Sequence, residues 1–263
     1  MRKISEIFIN GVSLEDILEK HKRWLNNEGG KRADLMSVDL RSVDLSDVNL
    51  RSANLINADL TGADLTGADL SGSDLELANL SNAILIGAVL RSSNLNYSVL
   101  IKTDLTDADL TVAKLNGAIL MNVKLNGANL NFTDLAGAKL SEADLENVKY
   151  NSKTSFFAMQ CPEKGSFVGY KKADNKIVEL LITEDSKRSS ATTRKCRCSK
   201  AKVLNITNIE NTEEYNEVVS NFDDNFIYKV GEIVEVKDFD DDRWNECSTG
   251  IHFFITRDEA AMY

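Results

Sequence analysis

Ala63-Asp64-Leu65-Thr66-Gly67-Ala68-Asp69-Leu70 is a five-residue unit written twice, and its extension in both directions decides the fold of the region around it. Leucine occupies every fifth position from Leu35 to Leu145, 23 times without a gap. The residue two before each leucine is Ala in 14 cases, Val in four, Ser in three and Thr in two. The residue just before is Asp in 11 cases and Asn in five, and two after it Gly, Asn, Ser or Asp stands 17 times of 23. On an α-helix five residues advance about 500°, so successive leucines step by about 140° and no stripe forms. On a flat strand an odd period sends alternate leucines to opposite faces. The chain must therefore turn once per unit, and Gly and Asn two after leucine suit turns with positive φ. Leucine and the small residue two before it then share the inward side, small because neighbouring walls close on it.

These residues resemble the pentapeptide repeat family, whose motif is A(D/N)LXX, over residues 33 to about 148. The resemblance implies a mainly β fold, a right-handed quadrilateral β-helix in which four units make one square coil. At a strand spacing of about 4.8 Å, nearly six coils rise roughly 28 Å. Both ends of such a solenoid expose core and unpaired backbone and need caps. Residues 1–32 read as the N-terminal cap. Ile4, Ile7 and Ile9 with Asn10-Gly11 suggest a short strand and turn. Ser13 with Asp16 opens a helix whose apolar face is Leu14, Ile17, Leu18 and Leu25, and Gly29-Gly30 ends it. His21 is expected on the surface of that helix, and Trp24 over the first coil.

If positions twenty apart stack, the outward residues can be mapped. Those just before leucine run Asp34, Asn54, Asp74, Asn94, Lys114, Asp134 on one face and Asp39, Asp59, Asn79, Val99, Ile119, Lys139 on the next. No face is uniformly acidic. Some members of the family imitate DNA and inhibit DNA gyrase. B-DNA carries about one charge per 1.7 Å, or roughly 16 phosphates over this length. Residues 33–148 hold 16 acids and 7 bases, net −9, and the late coils are interrupted by Lys114, Lys124 and Lys139. A solvated charged surface fits this balance better than mimicry. The map also places Val99, Ile101, Ile119 and Met121 outward on one face in adjacent coils, Ile84 and Ile86 on the next, and Val89 around a corner. Contiguous exposed apolar groups mark contact surfaces. The expected occupant is the C-terminal domain or a second copy of the protein; the protein partner is otherwise unknown.

The whole chain has 263 residues, 41 acidic and 31 basic, for a net charge of −10, with 43% hydrophobic content. That balance excludes wholesale disorder and disfavours whole-chain binding to DNA. No stretch approaches the length of a membrane span, and the charged Met1-to-Glu6 start lacks the apolar core of a signal peptide. Four cysteines do not make a disulfide scaffold in a chain this long, which points to a reduced, cytoplasmic protein.

After Val148 the period stops. Residues 149–155 read as a connector and 156–263 as a small α+β domain. Phe167–Tyr170, Asp174-Asn175 and Ile177–Ile182 spell a hairpin. Ala201–Ile206, Phe226–Val230, Glu232–Val236 and Gly250–Ile255 read as strands, and Thr256 with Glu259 caps a short helix. This half resembles the uncharacterised domain that follows pentapeptide repeats in bacterial and bacteriophage proteins, through the segments Lys187–Arg197 and Gly250–Phe254; His21–Leu25 resembles that set too. The resemblance brings no established activity with it.

Within this half, Lys187, Arg188, Arg194, Lys195, Arg197, Lys200 and Lys202 crowd 16 residues with no acid, interleaved with Ser189, Ser190, Thr192 and Thr193. Such donors suit phosphate or nucleic acid; the alternative is a solvated loop, or pairing with acids such as Asp240, Asp241 and Asp242. No aromatic lies inside the run to stack on bases. Cys196 and Cys198, with Cys161, Cys247 and His252, have poor spacing for structural zinc, so no metal and no cofactor is expected. HExxH, GxSxG and phosphate-loop motifs are absent. A Cys247/His252 nucleophilic pair is outweighed by a structural histidine. Gly250–Tyr263 is loosely similar to a segment of ADP-ribosyltransferase folds, but none of that family's catalytic residues is carried over to this sequence. A non-enzymatic interaction protein is the leading expectation.

Overall fold

The computed structural model describes residues 1–263 except Phe156, Ala158 and Glu246. It is mainly β with a short N-terminal helix, and divides into two compact units, Met1–Ala158 and Met159–Tyr263. No helix among the described residues is long and apolar enough to cross a membrane.

In the first unit the five-residue period is a backbone period. Every one of the 23 positions two after a leucine, from Ser37 to Asn147, has positive φ. Glycine takes that conformation freely, yet Leu77, Tyr97, Val112 and Phe132 hold it too, at φ of 60, 57, 62 and 61°. Each turn closes on the leucine carbonyl, as Ala58 N donates to Leu55 O at 3.0 Å. Between turns, residues twenty apart form parallel bridges, from Asp34–Asn54 through Asn129–Lys149. Leu55 N donates to Asp74 O at 2.7 Å, and Asn54 N to Ala33 O at 3.0 Å. This ladder pairs the backbone groups that a buried wall would otherwise strand.

The leucines from Leu35 to Leu140 are all buried, whereas Leu145 is half-exposed. The small residues two before them are buried as well, save Val38, Val48 and Ala143. Where Ser or Thr replaces Ala, the hydroxyl donates to a carbonyl, as Ser93 to Leu90 O and Thr103 to Leu80 O, both at 2.7 Å. The Asp or Asn before leucine accepts from the amide two residues on: Asp59 from Thr61 N at 3.0 Å, Asn79 from Ser81 N at 3.1 Å. The Thr61 and Ser81 hydroxyls donate to the same oxygens at 2.6 and 2.7 Å. The acidic residues of the motif therefore build turns.

At the N-terminal end, β1 (Phe8–Ile9) and β2 (Val12–Ser13) form a hairpin around Asn10-Gly11. Helix α1 (Leu14–Leu25) follows, its Asp16 amide donating to the Ser13 hydroxyl at 3.1 Å. Gly30 at φ 94° turns the chain where any side chain would strike the Lys20 carbonyl. Arg2 bridges Val43 in parallel, donating to Ser42 O at 2.7 Å and accepting from Asp44 N at 2.9 Å. His21 is not on the surface. It is fully buried, its Nδ1 accepts from the Ala33 amide at 3.1 Å, and its ring stacks on Trp24 with centroids 5.6 Å apart. The helix needs that position to satisfy the first amide of the repeat, which a periodicity argument cannot see. At the other end the stretch 149–155 continues the ladder rather than leaving it: Ser155 N donates to Thr133 O at 2.9 Å, and Thr154 Oγ1 to Leu130 O at 2.8 Å.

The second unit is richer in strand than an α+β reading implies. Its elements among the described residues are β3 (Phe167–Ala173), β4 (Lys176–Ile182), β5 (Arg188–Ser190), β6 (Cys196–Cys198), β7 (Lys200–Asn208), β8 (Glu217–Val219), β9 (Ile227–Lys229), β10 (Ile233–Glu235), β11 (Ile251–Phe253) and the short helix α2 (Arg257–Met262). A four-stranded sheet runs β10-β7-β4-β3, a three-stranded sheet β11-β6-β5, and β8 pairs with β9, all antiparallel. The β3–β4 turn places Asp174 and Asn175 at φ of 43 and 54°, a tight turn of the primed type. The strands flanking Gly231 enter different sheets, β9 against β8 and β10 against β7. Val178, Leu180, Ile182, Val203 and Phe253 lie in the core. Gly169 lets Phe253 close on β3, since a Cβ there would meet the Phe253 ring at 2.5 Å.

Candidate functional site

The outward apolar residues of the repeat unit are graded in exposure. Ile86 and Met121 are exposed at 40% and 38%. Ile84, Val89, Val99, Ile101 and Ile119 are half-buried. Ladder bonds put Val99 beside Ile119, and the Lys102 amide beside the Met121 carbonyl at 3.0 Å. Four further apolar groups absent from the sequence map are more exposed: Leu77, Tyr97, Val112 and Phe132, at 46–59%. They sit at the positive-φ turns, and Tyr97 lies against Gly117, twenty residues on. The signal was an apolar residue where 17 of the 23 turns have Gly, Asn, Ser or Asp.

The seven cations of 187–202 are not one open surface. Arg197 is 2% exposed and donates to three carbonyls: Thr249 at 2.9 Å, Asp242 at 2.7 Å and Asp240 at 3.2 Å. Its guanidinium also lies over the Phe239 ring. Arg188 is spent similarly on carbonyls, among them Gly165 at 2.7 Å and Thr183 at 2.8 Å. Lys187 pairs with Asp241, Arg194 with Glu259 and Lys200 with Asp185, at 2.9, 2.6 and 2.5 Å. Lys202 is exposed on β7, and Lys195 lies over the Tyr263 ring. Segments β5 and β6 run through this stretch, so its hydroxyls are inside as well: Ser189, Ser190 and Thr192 are buried.

The four cysteines are free. Cys196 and Cys198 are buried on β6; Cys161 is buried beside Cys196, and Cys247 is exposed. Burial pushes the Cys198 thiol up to about 12. The Cys196 thiol is raised by its hydrogen bond to Cys161 and by burial. Among the described residues no three His, Cys, Asp or Glu side chains are grouped to hold a metal ion.

A cavity of about 940 Å³ opens in the second unit, and sequence reasoning missed it. Lys171, Lys172, Lys195 and Lys237 bring positive charge to its wall, against Asp223, Glu235 and Asp238. Phe222, Tyr228, Phe254 and Tyr263 bring rings. Cys247 and His252 both line it, and Cys247 is exposed. Lys171 is 8% exposed and belongs to the inward register of β3, with Gly169 and Ala173. Its ammonium lies 6.0 Å from the Phe222 ring and 5.9 Å from the Tyr228 ring. Burial lowers its pKa to about 8. A lysine at an inward position of an alternating strand was the signal available in the sequence.

Comparison with known families matches pentapeptide repeats, in eight copies, to residues 33–72, 73–111 and 113–149, and a family of unknown function, DUF5758, to residues 157–260. Among solved structures, the pentapeptide repeat protein Rfr23 of the cyanobacterium Cyanothece 51142 is 25% identical over 51% of this chain and 95% of its own, with a TM-score of 0.28. HetL of Nostoc sp. strain PCC 7120, a pentapeptide repeat protein involved in heterocyst differentiation regulation, is 29% identical over 44% of this chain and 73% of its own, with a TM-score of 0.20. A pentapeptide repeat protein of the Arabidopsis thaliana thylakoid lumen is 27% identical over 43% of this chain and 72% of its own, with a TM-score of 0.26. Comparison with curated proteins finds no match.

Proposed function

Because the chain is a pentapeptide repeat protein that ends in a domain of the DUF5758 family, we propose that it is a non-enzymatic interaction protein of the cytoplasm, in which a β-helix rod associates with a second copy of itself. In this reading the repeat unit is a right-handed quadrilateral β-helix of nearly six coils. Four positive-φ turns per twenty residues and parallel bridges between residues twenty apart support it. The cytoplasmic placement rests on four free cysteines.

The observation that carries the interaction is the two-by-two array of Val99, Ile101, Ile119 and Met121, outward groups on adjacent passes of the chain. A two-fold contact needs only that the same patch meet itself, and apolar side chains do so without charge matching. The array is small beside the roughly 800 Å² per partner of a standard interface, so the dimer is weak. DNA mimicry gains nothing from the geometry: the acids accept from backbone amides, and Asp39, Asp104 and Asp109 pair with Arg41, Lys124 and Arg91. Phosphate binding through 187–202 is likewise disfavoured, because Arg188 and Arg197 are committed to carbonyls.

Sedimentation velocity of the intact chain at up to about 100 µM, a range in which weak dimers form, tests the proposal. A concentration-dependent dimer that becomes monomer in Ile101→Asp/Ile119→Asp supports it. Identical sedimentation of the two proteins refutes it.

A further inference from the structure

We propose that the cavity of the second unit binds a small anion carrying a planar ring, of the size of a nucleoside monophosphate, with Lys171 as buried counter-charge and Phe222 as the stacking platform. Three observations lead there. The first is Lys171 itself. It is 92% buried by difference from its 8% exposure, and its ammonium has no hydrogen bond or ion pair among the described residues, only the faces of Phe222 and Tyr228. Largely burying a lysine side chain with no anionic partner for its ammonium is costly. A folded domain retains such a group where something it binds supplies the missing charge. The lowered pKa of about 8 is the same cost seen as proton affinity.

The second is the balance of the wall. Lys171, Lys172, Lys195 and Lys237 face three acids, Asp223, Glu235 and Asp238. That excess is small and suits one phosphate of about −1.5 to −2 charge. It does not suit a nucleic-acid backbone, whose neighbouring phosphates the acids would repel. The third is Phe222, which is 84% exposed beside the cavity. An open ring of this kind is a stacking surface for a planar ligand. Its distance from the Lys171 ammonium, 6.0 Å, places ring and charge within the span of one small molecule. A volume of about 940 Å³ lies within the range of small-ligand sites.

Calorimetric titration of the full chain with AMP, GMP, CMP and UMP, and separately with inorganic phosphate and the four nucleosides, tests this. At least one monophosphate is expected to bind about tenfold or more tightly than its nucleoside or phosphate. Lys171→Met and Phe222→Ala should each weaken it about tenfold, while Lys202→Met, on β7 and outside the cavity wall, leaves it unchanged. Without ligand, Lys171→Met should melt higher, because an unpaired buried charge is gone. Phe222 is too exposed for its loss to threaten folding, so the test survives if Lys171→Met fails to fold. No saturation with any of the four, phosphate binding as tightly as the best of them, both variants binding like the wild type, or preference for a single-stranded oligonucleotide would each overturn the proposal.

Discussion

The two units solve the same problem, burying apolar groups without stranding polar ones, by opposite means. In the repeat unit most partners lie three or nineteen to twenty-one positions away. Ala58 bonds to Leu55, Leu55 to Asp74, and Asn54 Nδ2 to Asp34 Oδ1 at 2.8 Å. A residue's role follows from its place in the period. In the second unit the decisive partners are distant and irregular. Arg197 is held by carbonyls 43 to 52 residues away, and Arg194 by Glu259, 65 residues away. Local composition is therefore a reliable guide to the first unit and a poor one to the second, where a run of cations that looks like one open surface is divided between a buried arginine, side chains spent on carbonyls and acids, and exposed lysine.

The chain has two tryptophans, Trp24 in the cap of the first unit and Trp244 in the second, so single-tryptophan variants report the units separately. The largest effects come from the cores. Leu85→Ala and Phe253→Ala remove side chains that are 0% exposed, and each should cost about 3–5 kcal/mol. If the units are independent, the first shifts only the Trp24 urea transition and the second only that of Trp244. Shifts of both transitions by either variant would break the division.

Next comes the contrast between arginines. Arg197→Met leaves three carbonyls without their donor and should lose about 3 kcal/mol. Arg91→Ala breaks only an ion pair whose guanidinium side is 62% exposed, and should change stability by less than about 1 kcal/mol. Equal effects in the Trp244 and Trp24 transitions would contradict the assignment of Arg197 as interior.

How much was readable follows from the same distinction. The leucine column, the small-residue column and the turns were readable because a local geometric rule is enforced 23 times. The hairpin at Asp174-Asn175 and the Thr256–Glu259 cap were readable because turn and cap chemistry is local: Thr256 N donates to Glu259 Oε2 at 3.2 Å. The burial of His21 was not, since its partner Ala33 belongs to the next element. Nor was the cavity, whose wall draws on segments from Lys171 to Tyr263. The role of the motif's aspartates lay between. Their frequency was plain, but their bonding to the amide two residues ahead needed the turn geometry.

A smaller effect sharpens the repeat rule itself. Val112 is β-branched, 50% exposed and held at φ 62°. A left-handed conformation costs such a residue about 1–2 kcal/mol, so Val112→Gly should stabilise the first unit by about 1 kcal/mol after glycine's own entropy loss. A loss of stability would mean that the exposed side chain packs against something that outweighs its strain.

The remaining expected effects are in pH dependence, and they run in opposite windows. Burial lowers the His21 pKa below its usual 6.5. The unfolded chain then binds the proton more readily, so the Trp24 transition should weaken as pH falls below about 6.5. His21→Gln should flatten that dependence. Lys171, at about 8 when folded and 10.5 when free, makes the unfolded second unit the better proton binder between those values. The Trp244 transition should therefore strengthen as pH rises from about 8 to 10.5, and Lys171→Met should abolish the rise.

The central claim is that the repeat returns beside itself every twenty residues. Asn116 Nδ2 donates to Asn96 Oδ1 at 3.0 Å, and adjacent strands about 4.8 Å apart are within disulfide reach. In a Cys247→Ser background, mild oxidation of Asn96→Cys/Asn116→Cys should close a disulfide seen as a loss of two hydrogens by mass and as resistance to alkylation. Asn96→Cys/Ile101→Cys, five residues apart across a turn, should not close one. Crosslinking of the five-residue pair but not the twenty-residue pair would contradict the account.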